Sequence, residues 1–292
     1  MKLRIRKTRR QRGGQKKPII ILQTRWGFGN QIIQYCVACA VQKKFGYEMF
    51  ILPPLDNVHS NNRDFRDFFV RGKKIEKIPD DFLDPHLTMG STNIMLNTSK
   101  IPEGKNIMLD SLGHHYEPFE HIMPELGKEM HKTLKKLYPD LQIKDSVKNG
   151  FIHVRRGDIA GTGWDQSFDY FKKGLEIANT KSSVETWYIF SDDIKWCKEQ
   201  LWDKTKKIVF IDEDNEIKAL ALMSKCIGGA IIGQSTFAWA GVMSGANNNK
   251  KSFIIANMHL ITHGQGEKKH KYVGPSHWSY LNNTGKEYAY NR

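Results

Sequence analysis

A short apolar run, Phe151-Ile152, continues through His153 and Val154 into Arg155, Arg156, Gly157 and Asp158. Such a run reads as a buried strand whose charged end opens on a cleft, where open α/β sheets bind their ligands. Two guanidinium forks suit the oxygens of a phosphate or carboxylate, a glycine lets the backbone approach, and Asp158 can hold one arginine in place. The ligand on these grounds is an anion. The bland alternative is a surface-ended strand with a solvated Arg–Asp pair.

Three further stretches carry compatible chemistry. Ser191-Asp192-Asp193 follows a strand, and a carboxylate there can accept from a ribose or from the N–H edge of a base. Gln234-Ser235-Thr236 precedes a helical pattern and would bring hydroxyl and backbone donors to a phosphate. Gly27-Phe28-Gly29-Asn30-Gln31 is a glycine turn into a helix, which makes either a generic anion cradle or a tight connection whose glycines serve geometry only. Converging strand ends of this kind point to a nucleotide. The chain has neither a Walker G-x-x-x-x-G-K-[ST] motif nor a G-x-G-x-x-G fingerprint.

The elements that must position these residues alternate between strand and helix. Apolar runs predict strands at 19–22, 107–109, 151–154, 186–190, 208–211, 226–233 and 253–256, the last expected in the chain, with Pro53-Pro54 ending another. Helical spacing covers 32–45, 128–138, 168–180, 194–202, 216–225 and 236–246, and Asp192 or Asp193 is placed to cap the fourth of these. This is the pattern of doubly wound, mainly parallel sheets.

Composition narrows the partners. With 292 residues, 39% of them hydrophobic, the chain is long enough for two domains or one large one with ordinary cores. The formal charge is +14, but nine cations without an acid lie in residues 1–17, so the body is only mildly basic. That tail is expected to be a disordered leader, with a nuclear signal or a phosphate-binding arm as alternatives. No specific nucleic-acid partner is expected, because interleaved aromatics on a basic face are missing. Membrane contact is expected only through attraction of the tail. The chain reads as soluble or cytoplasmic, with no apolar signal region or spanning segment. Cys36 and Cys39 fall inside a helix and read as buried thiols, and His114 and His115 read as packing or acceptor contacts in preference to metal ligands. The 247–251 cluster reads as a turn.

The motifs resemble those of the α1,2-fucosyltransferase family. H-x-R-R-G-D is met by His153, Arg155, Arg156, Gly157 and Asp158, F-S-D-D-x-x-W by Phe190 to Trp196, and G-x-G-N-Q-x-x-Q-Y by Gly27 to Tyr35. L-M-S-x-C followed by N-S-T-F-S-W is matched from Leu222 to Cys226 and from Gln234 to Trp239, with Gln234 and Ala238 as departures. Ile159 stands where the family usually has Tyr.

The resemblance implies a GT-B-like α/β fold of two Rossmann-like domains facing across a cleft, with an acceptor-side domain at 18–149 and a donor-binding domain at 150–292. It implies inverting transfer of L-fucose from GDP-L-fucose to a glycan ending in galactose, with α1,2 linkage and no metal. Fucosyltransferases of α1,6 or protein-linked type and a non-catalytic nucleic-acid-binding protein are the alternatives. By this resemblance Arg155 serves the β-phosphate, His153 and Asp192 or Asp193 contact ribose and guanine, and Ser235, Thr236 and Phe237 cap the phosphates. Gly29, Asn30 and Arg156 join the donor site. Asp158 orients the arginines, Asp165 is the expected base, and no D-x-D pair is expected in place to bridge a cation to the diphosphate.

Overall fold

The computed structural model describes residues 17–56, 63–79, 82, 88–89, 106–109, 117–246, 251–257, 275 and 277–288. The basic tail up to Lys16, the stretch with His114 and His115, and the 247–250 part of the expected turn lie outside them.

The first sheet is built from β1 (Ile19–Arg25), β2 (Glu48–Asp56), β3 (Lys73–Lys74), β4 (Thr88–Met89) and β5 (Ile107–Leu109), in the order β3-β2-β1-β5-β4 with all strands parallel. The β-branched run Ile19-Ile20-Ile21 makes the central strand, and α1 (Phe28–Phe45) follows it. That helix is buried on nearly every side, because β1, a 3-10 turn at Glu117–Ile122 and a helix of the second half all pack on it. It ends at Gly46, whose left-handed φ of 73° lets its N–H return to Gln42 O. Cys36 and Cys39 lie buried in it with free thiols.

After α2 (Met123–Leu137), the second sheet contains β6 (Asn149–Val154), β7 (Thr186–Ser191), β8 (Lys207–Ile211), β9 (Gly229–Ile232), β10 (Phe253–Asn257), β11 (Ser279–Leu281) and β12 (Glu287–Tyr288). Their order is β12-β11-β10-β9-β6-β7-β8, parallel except for the final β11–β12 pair. The connecting helices are α3 (Phe168–Lys181), α4 (Ile194–Glu199), α5 (Glu216–Ser224) and α6 (Thr236–Ser244). Thus the α/β architecture with two parallel sheets is as expected, GT-B in class. Helix α2 buries Met123, Leu126, Met130 and Leu134 along one stripe against α5 and α6. One apolar cluster runs from β1 and α1 through α2 into α5, α6 and β9.

Three expectations need correction. Strand β2 runs through Pro53 and Pro54, because its pairing with β3 stops at Ile51 and its register against β1 shifts between Gln23 and Arg25, so neither proline N is needed as a donor. Helix α1 begins at Phe28, four residues before its apolar spacing becomes legible. Two short strands follow β10, too brief for periodicity to reveal. Among the described residues no helix is long and apolar enough to cross a membrane.

Candidate active site

In each sheet the chain reverses its direction of growth once, between β1 and β5 in the first and between β6 and β9 in the second. Such switch points open a crevice at the carboxyl ends of the strands. Here the ends of β1, β6, β7 and β8 and the starts of α1 and α6 line one cleft of about 750 Å³.

Its floor is the meeting of two helix N-termini. A Cβ on Gly29 would lie 2.3 Å from Phe237 N and 2.6 Å from its Cα, so only glycine allows α1 and α6 to cross this closely. Thr236 Oγ1 donates to Asn30 Oδ1 at 2.8 Å across the crossing, and Ser235 Oγ accepts from Ala238 N to cap α6. The first turns of both helices, with the positive ends of their dipoles, therefore face the same space. The β1–α1 turn is held rigidly. Buried Gln31 accepts from Thr24 Oγ1 and donates to Trp26 O, Gln34 accepts from Arg25 N, and Trp26 is kept at a φ of 64°, unusual for a bulky residue.

The opposite wall comes from β6 and β7. His153 and Arg155, two apart on β6 and its extension, share one side of the strand and both line the cleft. Arg155 donates from Nη2 to both oxygens of Asp158 at 2.9 Å, which fixes that guanidinium. His153 is 7% exposed, and burial, reinforced by the Arg155 charge and opposed by Asp192, holds its imidazole down at about 4. It is neutral at physiological pH, with Nδ1 buried and unpartnered among the described residues. Asp192 accepts from Arg156 N at 2.7 Å, and a Cβ on Gly157 would meet its carboxylate.

Nine of the expected site residues line the cleft: Gly29, Asn30, His153, Arg155, Asp158, Asp192, Ser235, Thr236 and Phe237. Arg156, Asp193 and Asp165 do not. Arg156 lies over the Trp196 ring at 4.1 Å, with Asp193 at 3.4 Å and Asp165 at 3.7 Å. Asp193 caps α4 by accepting from Trp196 N, and Asp165 accepts from Gly161 N. Adjacent residues at a strand end project to opposite sides, so Arg155 with Arg156 and Asp192 with Asp193 divide between cleft and scaffold. The structure thus makes Asp165 a partner of Arg156, outside the residues that line the cleft.

The sequence reading also passed over Asp212-Glu213-Asp214, which has D-x-D spacing, follows β8 and lines the cleft together with Glu216. Glu213 is paired with Lys218 and Glu216 with Arg63, whereas Asp212 and Asp214 are exposed. Their position after a predicted strand was the available signal. Among the described residues, no group of three His, Cys, Asp or Glu side chains is assembled to hold a metal.

A cleft at the switch points of two mainly parallel sheets, lined by the starts of two helices and a strand-end arginine, is the architecture of the GT-B class. The profile of the family described as Glycosyl transferase family 11 matches residues 5–282, and the chain belongs to that family. It is 23% identical over 264 residues to the O-antigen biosynthesis glycosyltransferase WbnK of Escherichia coli, covering 74% of this chain and 86% of that one. It is 25% identical over 147 residues to the mouse galactoside 2-α-L-fucosyltransferase Sec1, across 44% of this chain and 40% of that protein. Among solved structures, the α-1,6-fucosyltransferase NodZ soaked with GDP-fucose aligns at 10% identity with a TM-score of 0.44, over 79% of this chain and 93% of its own.

Proposed function

We propose that this chain is an inverting fucosyltransferase that moves L-fucose from GDP-L-fucose to a hydroxyl of a glycan acceptor, forming an α1,2 bond to a terminal galactose. One observation carries the reading: Arg155 and the N-termini of α1 and α6 open on a single cleft. A departing diphosphate gains negative charge as its bond to the sugar breaks, and preorganised donors in a partly enclosed site stabilise that charge. Family membership and the fully met H-x-R-R-G-D motif support the donor, and the name of the mouse relative supports the linkage.

In this reading the acceptor hydroxyl oxygen attacks the anomeric carbon, the bond from that carbon to the β-phosphate oxygen breaks, GDP leaves, and the hydroxyl proton passes to a base. Arg155, oriented by Asp158, meets the β-phosphate. Ser235, Thr236, Phe237, Gly29 and Asn30 present hydroxyl and backbone donors to the diphosphate, while neutral His153 and Asp192 contact ribose and guanine. Arg156 and Asp193 act behind them, fixing the loop through Trp196. No metal is required in this scheme, because guanidinium and N–H groups supply the positive charge.

The test is product analysis by NMR after incubation with GDP-L-fucose and lactose, with and without excess EDTA. An α1,2-fucosylated galactose formed equally in both is the expected result. An α1,6 product, or fucose transferred only to protein, overturns the linkage. Activity lost to EDTA and restored by Mn²⁺ would move the charge-stabilising role to a cation at Asp212 and Asp214.

A further inference from the structure

Gln166 stands in the loop between the Arg-Gly-Asp end of β6 and helix α3, and it is 1% exposed. Burying an amide is costly unless both of its ends are bonded, and here both are. Its Nε2 donates to Trp164 O at 2.9 Å, and its Oε1 accepts from Gln234 N at 2.8 Å. The first contact belongs to the loop that follows β6. The second lies 68 residues away, in the turn that launches α6.

That turn is narrow. Ser235 N–H donates back to Gly233 O at 2.9 Å, closing three residues on themselves, while the Gln234 N–H is taken by Gln166. Gly233 makes room for this contact, since a Cβ there would lie 2.0 Å from Gln166 Oε1 and 3.0 Å from its Cδ. The next three residues, Ser235, Thr236 and Phe237, are the part of α6 that lines the cleft. On the other side the loop is tied to the arginine shelf, with Gly161 N–H bonded to Asp165 and Asp165 beside Arg156.

We propose that Gln166 is a positioning residue: its amide latches the loop after β6 to the Gly233–Gln234–Ser235 turn and so sets the donors of α6 at the height of the diphosphate. The inference rests on the reading of the cleft as a GDP site. A helix N-terminus binds an anion only through a few aligned N–H groups, so a small tilt of its first turn weakens several contacts together. Losing the latch leaves the Gln234 N–H without its partner, and the turn must rotate to find another.

The experiment measures GDP affinity by titration calorimetry, beside a thermal melt, for the parent, Gln166→Met, Gly233→Ala and the double variant. Methionine keeps the volume of glutamine but makes neither hydrogen bond. Gln166→Met is expected to bind GDP roughly tenfold more weakly. Gly233→Ala displaces the same oxygen and is expected to do likewise, and the double variant should be no worse than the weaker single variant, because both changes undo one contact. A Gln166→Met protein with lowered melting temperature but GDP affinity within twofold of the parent would reduce Gln166 to packing and overturn the proposal. So would single effects that multiply in the double variant. Should Gly233→Ala fail to fold, Gln166→Met alone decides. A parent that does not bind GDP refutes the reading of the cleft itself.

Discussion

Replacing Gly29 with alanine puts one methyl group where two helices touch. The added carbon would stand 2.3 Å from Phe237 N, 2.6 Å from Phe237 Cα and 2.7 Å from Thr236 C, all backbone atoms that cannot swing aside. Ordinary contact begins near 3.4 Å, so the N-termini of α1 and α6 must separate by about 1 Å. Overpacking of this kind costs roughly 1–3 kcal/mol, or a fall of about 2–10 °C in Tm for a chain of this size. The catalytic loss should be larger in proportion, because a displacement of about 1 Å at a charge-stabilising site costs on the order of 10²-fold. The hydrogen bond from Thr236 to Asn30 spans the same gap and should break with it. Steady-state kinetics with GDP-L-fucose and a thermal melt measure both effects. Gly46→Ala is the control: its φ is 73°, it has open space around it, and it should lower Tm slightly while leaving kcat/KM at the parent value. A Gly29→Ala protein with kcat/KM within threefold of the parent would refute the crossing as the phosphate cradle.

Two further outcomes follow from the same cleft. Arg155→Lys keeps the charge but loses the fork that Asp158 orients, so kcat should fall on the order of 10²-fold with a smaller rise in the KM for GDP-L-fucose; a kcat within threefold of the parent removes Arg155 from the chemistry. His153 has a folded pKa of about 4 against about 6.5 when unfolded, so the fold favours the neutral ring. Its contribution is complete above pH 6.5 and is lost as pH falls toward 4, amounting to up to about 3 kcal/mol. Thermal melts between pH 7.5 and 4.5 should therefore show a steeper acid loss for the parent than for His153→Asn. Parallel curves would contradict the buried neutral imidazole.

Long apolar runs were legible because burial on both faces of a parallel strand demands them: β1, β6, β7 and β9 stand close to their expected positions. The helix of α6 was equally legible, since a small polar residue before an apolar stretch is a local signal. Strands β3, β4 and β12 were not, because two residues carry no period and owe their pairing to neighbouring strands. Within the site, the ends of β6 and β7 and the start of α6 were legible from charge and turn chemistry, whereas which of two adjacent side chains lines the cleft was not. Strand alternation at the end of β6 sends the Arg156 guanidinium onto Trp196, a division between the two arginines that their adjacency in sequence does not display. Asp212 and Asp214 escaped notice because carboxylates after a strand look like any solvated turn until the fold brings that turn to the cleft. Gln166 gave no signal at all, for its partner Gln234 is 68 residues distant.

Calorimetric titration of the purified chain with GDP and with UDP tests the central claim most directly, since it needs no acceptor and no assumed linkage. Arg155 and the helix N-termini would serve either diphosphate, so discrimination must come from the base, where a carboxylate such as Asp192 can accept from the N–H edge of guanine. GDP is expected to bind at least tenfold more tightly than UDP, a difference of about 1.4 kcal/mol. Equal affinities, or no heat with GDP, would contradict it.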